Sequence, residues 1–271
     1  MNQITPIFAA DCVFQSSRFA GDPFGVWSAA GRGNAAKEVD VDLSAIVGDY
    51  FDAGLSRSGI SQGDRVCFFG EMSMAQADRL STTVGADGNV VSGNAEDHTD
   101  ADFDAVYSVF ETQSFEGPVA GLRRLQQMLK PGGRLTQVVW CDASANPWIN
   151  TAMEVARRHL PFNPEPATVT DPFAMADRYM VEAQMGAAGF ENVSFERVDQ
   201  SVRIADDADA AVDFQMNLPP VREMLRSAGP LAEMAAPHMR ERLFEQLSPS
   251  ETEDGVWMAS SAWVVTAEKP T

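Results

Sequence analysis

Apolar positions along the chain switch repeatedly between strand-like and helix-like spacing. Ile46, Val47, Tyr50 and Phe51 recur at helical spacing after Leu43, and the pattern fades near residues 54–59, where Gly54 and Gly59 lie. Residues 66–69 form an unbroken apolar run of strand length behind the turn SQGD, and AQADRLSTTVG predicts a helix over about 74–84. NVV at 89–91 and FDAVYSVF at 103–110 predict strands. VAGLRRLQQMLK places Val119, Leu122, Leu125 and Leu129 on one helical face, with PGG as its stop, and RLTQVVW at 134–140 reads as the next buried strand.

Beyond residue 146 the rhythm becomes mainly helical. Two helical stretches in 146–190 are separated by LPFNPEPATVTDP, and VSFERVDQSVRI then alternates as a strand does. A helical region over about 207–247 is interrupted at LPP and AGP, and VWMASSAWVVTAEKP closes the chain as a strand. Alternating strands and helices with a late insertion predict an α/β fold: a doubly wound, Rossmann-like sheet with a helical cap insertion, the cap helices lying at about 146–185 and 207–247. Residues 1–36 have no period and mix Phe14, Phe19, Phe24 and Trp27 with Gly, Ser and Pro. They are expected to form an extended arm ahead of a single domain over 37–271.

Composition narrows the functions. A chain of 271 residues with 45% hydrophobic residues can bury one sizeable core. Its net charge of −19 repels phosphate backbones and anionic lipid, which argues against nucleic acid and membrane surfaces as partners. No apolar run is long enough to span a bilayer, and no secretion signal is visible at the N-terminus. Cys12, Cys67 and Cys141 are odd in number and far apart, which suits reduced thiols in a cytoplasmic protein.

Residues 103–148, FDAVYSVFETQSFEGPVAGLRRLQQMLKPGGRLTQVVWCDASANPW, resemble the class I S-adenosylmethionine-dependent methyltransferases, in the group that includes ubiquinone-biosynthesis-like small-molecule enzymes. LKPGGRL between helix and strand is a frequent mark of that family. MGAAGFENVSFERV and the region from Asp206 to Thr266 continue the resemblance, and SGISQGDRVCFFG resembles the approach to the family's first strand. The resemblance implies cofactor contacts from Gly70, Asn94, Ala95 and Ser108, should S-adenosylmethionine bind.

Three departures from the family pattern fall on that cofactor site. The loop VCFFGEMSM sets Phe68 where an acidic residue is usual, and Met72 and Met74 where glycines let backbone approach the cofactor. The two methionines are therefore expected to fill the groove with their own side chains. The stretch GADGNVVSGNAEDH passes from the first helix to what resembles the family's third strand, so the fold is expected to lack one strand–helix unit, and no acidic residue can be assigned to the ribose. Asn94 stands where an aspartate is usual, although its carbonyl oxygen still suits an adenine amino group.

Other candidates are few. His98 lies in an acidic surface run, His159 ends a helix and His238 lies in the cap; no pair has metal-ligand spacing, so no metal is expected. Glu111 follows a strand at the carboxyl edge of the sheet and is the one candidate acid or base, a role weighed against helix capping or a surface position. Trp140, Trp148, Phe173, Met175, Tyr179 and Met216 are candidates to line a cap pocket for an apolar small molecule, or to be plain core. Three readings stay open. The favoured one is a methyltransferase relative that has lost the cofactor and serves as a binding or scaffolding subunit, meeting a protein partner or a second copy through its arm. The others are an active methyltransferase with an atypical cofactor site and an enzyme of different chemistry in the cap pocket.

Overall fold

The computed structural model describes residues 43–93, 102–160 and 171–271. The arm over 1–36, Asn94, Ala95 and His98 lie outside the described residues. Strands β1 (Arg65–Phe69), β2 (Asn89–Gly93), β3 (Phe103–Val109), β4 (Leu129–Trp140), β5 (Glu191–Ala205) and β7 (Gly255–Glu268) form one sheet in the order β2-β1-β3-β4-β7-β5; the two-residue β6 (Glu251–Thr252) pairs with β7. Pairing is parallel from β2 through β4 and antiparallel for β4–β7 and β7–β5.

This is the expected doubly wound α/β architecture with helical insertions. Between residues 84 and 103 the described residues hold one strand and no helix, and that strand, β2, takes the place directly beside β1.

Strand alternation divides the core between the two sheet faces. Val66 and Phe68 point into one apolar cluster with Ile46, Tyr50 and Phe51 of α1 (Ser44–Leu55) and Leu80 and Val84 of α2 (Met74–Val84). Helices α4 (Pro147–His159), α6 (Ala208–Met216), α7 (Pro219–Ala228) and α8 (Pro230–Leu247) add to that cluster through Trp148, Val212, Val221 and Leu243. Cys67 and Phe69 belong to the second cluster, with Leu122 and Leu125 of α3 (Pro118–Met128) and Val181 and Met185 of α5 (Arg178–Ala188). Helix α5 therefore covers the sheet beside α3, although its sequence position had suggested a cap helix. The interruptions at LPP and AGP are helix starts: Pro219 and Pro230 open α7 and α8, where the missing N–H is not needed.

The PGG turn differs from its expected role. Helix α3 ends at Met128, and Leu129 is already extended and paired with Phe103, so Leu129 belongs to β4 and not to the helix face. Gly132 has φ +76°, and a β-carbon on Gly133 would come within 2.9 Å of the Lys130 carbonyl and 3.1 Å of the Phe103 carbonyl. The glycines thus shape an irregularity inside the strand, opposite the register shift between Phe103 and Ala105. Among the described residues no helix is long and apolar enough to cross a membrane.

Candidate functional site

The carboxyl ends of three neighbouring strands carry positive φ angles: Gly70 after β1 (+118°), Gly93 ending β2 (+155°) and Phe110 after β3 (+61°). Phe110 has a side chain and adopts this conformation at a cost of roughly 1–3 kcal/mol, which the surroundings must offset. Its N–H donates to the Val138 carbonyl at 2.8 Å. Its ring stacks on Trp140 at 3.7 Å and 13°, and meets the edge of Tyr50 at 5.6 Å and 82°. Trp140 in turn is met edge-on by Tyr50 at 5.2 Å and by Trp148 at 5.5 Å.

A hydrogen-bonded chain fixes the far side of this aromatic box. Tyr50 donates to Ser260 Oγ at 2.8 Å and Trp148 Nε1 to the same oxygen at 3.0 Å. Ser260 Oγ donates to Asn146 Oδ1 at 3.2 Å, and Asn146 Nδ2 donates to the Ser261 carbonyl at 2.9 Å. Burial pushes the Tyr50 hydroxyl well above the usual phenol range, so it stays protonated and serves as a donor. The sequence marks Tyr50 only as part of an apolar helical stripe, and no local motif marks Asn146 or Ser260.

The box positions the next residue, Glu111. A β-carbon built on Gly70 would lie 2.5 Å from Glu111 Cγ and 3.0 Å from Cδ, so the side chain sits directly on the Gly70 backbone. Two residues singled out separately in the sequence, Gly70 and Glu111, therefore meet. Gly70 N–H also reaches the Gly93 carbonyl at 3.4 Å, tying the ends of β1 and β2 together.

Of the loop residues, Phe68 behaves as expected: it is 1% exposed and packs its ring against Phe51 and Tyr107 at 6.0 and 5.8 Å. Met72 is half-buried against the same core. Met74 departs from expectation, being 91% exposed. Ser73 caps α2 through a reciprocal bond with Gln76, which makes Met74 the first helical residue and sets it off the stripe of Leu80 and Val84. Met74 thus does not fill the loop; Met72 packs on the core, and Gly70 is covered by Glu111, a residue from another strand end.

Ser108 is fully buried in the sheet row Phe69–Ser108–Gln137, away from any open surface. Its Oγ, both amide atoms of Gln137 and Thr112 Oγ1 are buried without a hydrogen-bond partner. Cys141 is buried too, and burial pushes its thiol up, away from nucleophilic use. His159 ends α4 as expected, with Nδ1 2.8 Å from the Val155 carbonyl. The candidate pocket residues do not converge: Trp140, Trp148 and Met216 lie in the core of one sheet face, with Phe173 packed against it, while Met175 lies in the other core and Tyr179 is 72% exposed. Among the described residues no group of three or more His, Cys, Asp or Glu side chains is arranged to hold a metal ion.

Residues 61–136 match the family model of a methyltransferase domain. The match runs from the turn before β1 into β4 and agrees with the class I methyltransferase resemblance of the sequence. Among solved structures, a putative methyltransferase from Bacillus halodurans is similar at 14% identity and TM-score 0.49, over 82% of this chain and 99% of that one. The Bacillus subtilis protein YcgJ is similar at 12% identity and TM-score 0.49, over 83% and 99%. A phosphoethanolamine N-methyltransferase from Haemonchus contortus, solved with phosphomonomethylethanolamine and S-adenosylhomocysteine, is similar at 14% identity and TM-score 0.45, over 82% and 53%. Among curated proteins none matches.

Proposed function

We propose that this methyltransferase-like protein no longer binds S-adenosylmethionine and acts as a non-catalytic binding or scaffolding subunit. The observation that supports this reading is the seat of Glu111 on Gly70. Glycine at a strand end serves a nucleotide cofactor by letting it touch backbone. At Gly70 that approach is taken by a side chain of the protein itself, the acidic Glu111. Phe68 adds an apolar strand end in place of a polar anchor, and Met72 packs against the same core. On this reading the side chains of Phe68 and Glu111 stand against the cofactor at the end of β1.

A second reading, an active methyltransferase with an atypical site, draws support from Met74, which leaves more of the loop open than its sequence position suggests. Titration decides between the two. A ligand at a hundred times its dissociation constant stabilises a folded protein by about 2.7 kcal/mol, a displacement of several degrees in Tm. Millimolar S-adenosylmethionine or S-adenosylhomocysteine is expected to leave Tm unchanged. A clear rise with either compound would overturn the non-catalytic reading in favour of the methyltransferase. The binding role is assigned to the aromatic residues of the N-terminal segment, in a cytoplasmic setting that suits buried thiols at Cys67 and Cys141. Serine in place of Phe19, Phe24 and Trp27 together is expected to dissolve a complex with a protein partner; unaltered assembly would remove that assignment.

A further inference from the structure

We propose that two copies of this chain join edge to edge through β5, as an antiparallel ladder centred on Val198. Strand β5 ends the sheet, is fifteen residues long, and pairs with β7 along one side; among the described residues no strand pairs with its other side. It contains no proline, and its register with β7 is regular from Ser194 to Arg203, so a long row of backbone donors and acceptors runs along the sheet edge.

The charge pattern of that edge selects the occupant. An isologous dimer turns each copy about an axis through the sheet, so residue i faces residue j and j faces i. Centred on Val198, the ladder sets Arg197 opposite Asp199 of the second copy and Asp199 opposite its Arg197, with Val198 facing Val198 and Glu196 facing Gln200. Arg197 and Asp199 are 46% and 65% exposed and already bonded to each other at 2.7 Å, so association builds one four-charge cluster. Moving the centre by one residue either way sets Arg197 against Arg197 or Asp199 against Asp199, and like charges directly opposite are unfavourable. Val198 is also the midpoint of Ser194–Val202, which lies within the stretch paired regularly with β7, so this register uses that stretch symmetrically.

Long-range repulsion does not exclude the contact. The chain carries −19, yet β5 holds Glu191, Glu196 and Asp199 against Arg197 and Arg203, and Arg57 from α1's end bonds Glu196 at 2.6 Å. With Asp206, which bonds Arg203, the edge carries four acidic groups against three basic ones, close to balance on an acidic molecule.

The inference is independent of whether S-adenosylmethionine binds. Light scattering and sedimentation of the full chain at physiological ionic strength are expected to give about twice the monomer mass of 29.4 kDa. Arg197→Asp places acid against acid on both sides of the axis and is expected to raise the dimer dissociation constant about tenfold or more, while Arg197→Asp with Asp199→Arg restores it. Val198→Cys supplies a readout that does not depend on charge: paired β positions lie within disulfide reach, so mild oxidation is expected to yield a covalent dimer. Gln200→Cys and the unaltered chain, with its own thiols, are expected to give none. A wild-type chain that stays monomeric to hundreds of micromolar, a dimer indifferent to Arg197→Asp, or cross-linking equal at residues 198 and 200 would each overturn the proposal.

Discussion

Trp140→Ala is expected to lower folding stability by about 3–5 kcal/mol, measured by urea unfolding. Trp140 closes β4, is 2% exposed, and touches three aromatic rings at once. Its loss opens a cavity and removes the plane against which Phe110 is held at positive φ. Small domains are stable by only about 5–15 kcal/mol, so such a variant retains a thin margin at physiological temperature. Trp140→Phe keeps a ring facing Phe110 and is expected to recover much of the loss. Truncating Phe244, 42% exposed on α8, is expected to change stability by about 0.5 kcal/mol or less and serves as the control. A Trp140→Ala cost near 1 kcal/mol would mean that the aromatic box does not hold the strained turn.

That box also marks the limit of what the sequence makes legible. Local periodicity is enough for β1, β3 and α3, because their buried stripes recur within a few residues: Leu122 and Leu125 are fully buried as their spacing predicts. Tyr50 and Ser260 are 210 residues apart, and Asn146 and Ser260 are 114 apart, so their hydrogen bonds exist only once β4 and β7 are paired. No propensity encodes such a contact. The start of β4 is hidden for a related reason: Pro131, Gly132 and Gly133 are turn residues by local rule, yet pairing of Leu129 with Phe103 carries the strand through them. Helix α5 shows the same dependence, since its apolar stripe fits either a cap or a sheet face, and contact with α3 decides. The position of Met74 is set by the cap at Ser73, whose S-x-x-Q spacing overlaps the stretch that resembles a cofactor loop.

The Gly70–Glu111 contact is where fold and function are most directly coupled, and Gly70→Ala tests it. Two costs are expected. Alanine at φ +118° is strained whatever the space around it, and its β-carbon meets Glu111 Cγ at 2.5 Å, an atom near the backbone and not the far end of a flexible chain. Together these are expected to lower stability by about 2–4 kcal/mol. Glu111→Ala in the same chain removes the steric part and leaves the conformational one, so the double variant is expected to be more stable than the sum of the two single effects by about 0.5–3 kcal/mol. The alternative role of Gly70, keeping backbone open for a cofactor, makes a different forecast. Gly70→Ala would then leave the φ cost alone in the unliganded protein, show no coupling to Glu111, and appear chiefly as a lost response to S-adenosylmethionine. Urea unfolding of the four proteins, each with and without S-adenosylhomocysteine, separates the two. Coupling between Gly70 and Glu111 without a ligand response means that the acidic side chain occupies the place of the cofactor; a ligand response without coupling means that the glycine still serves one.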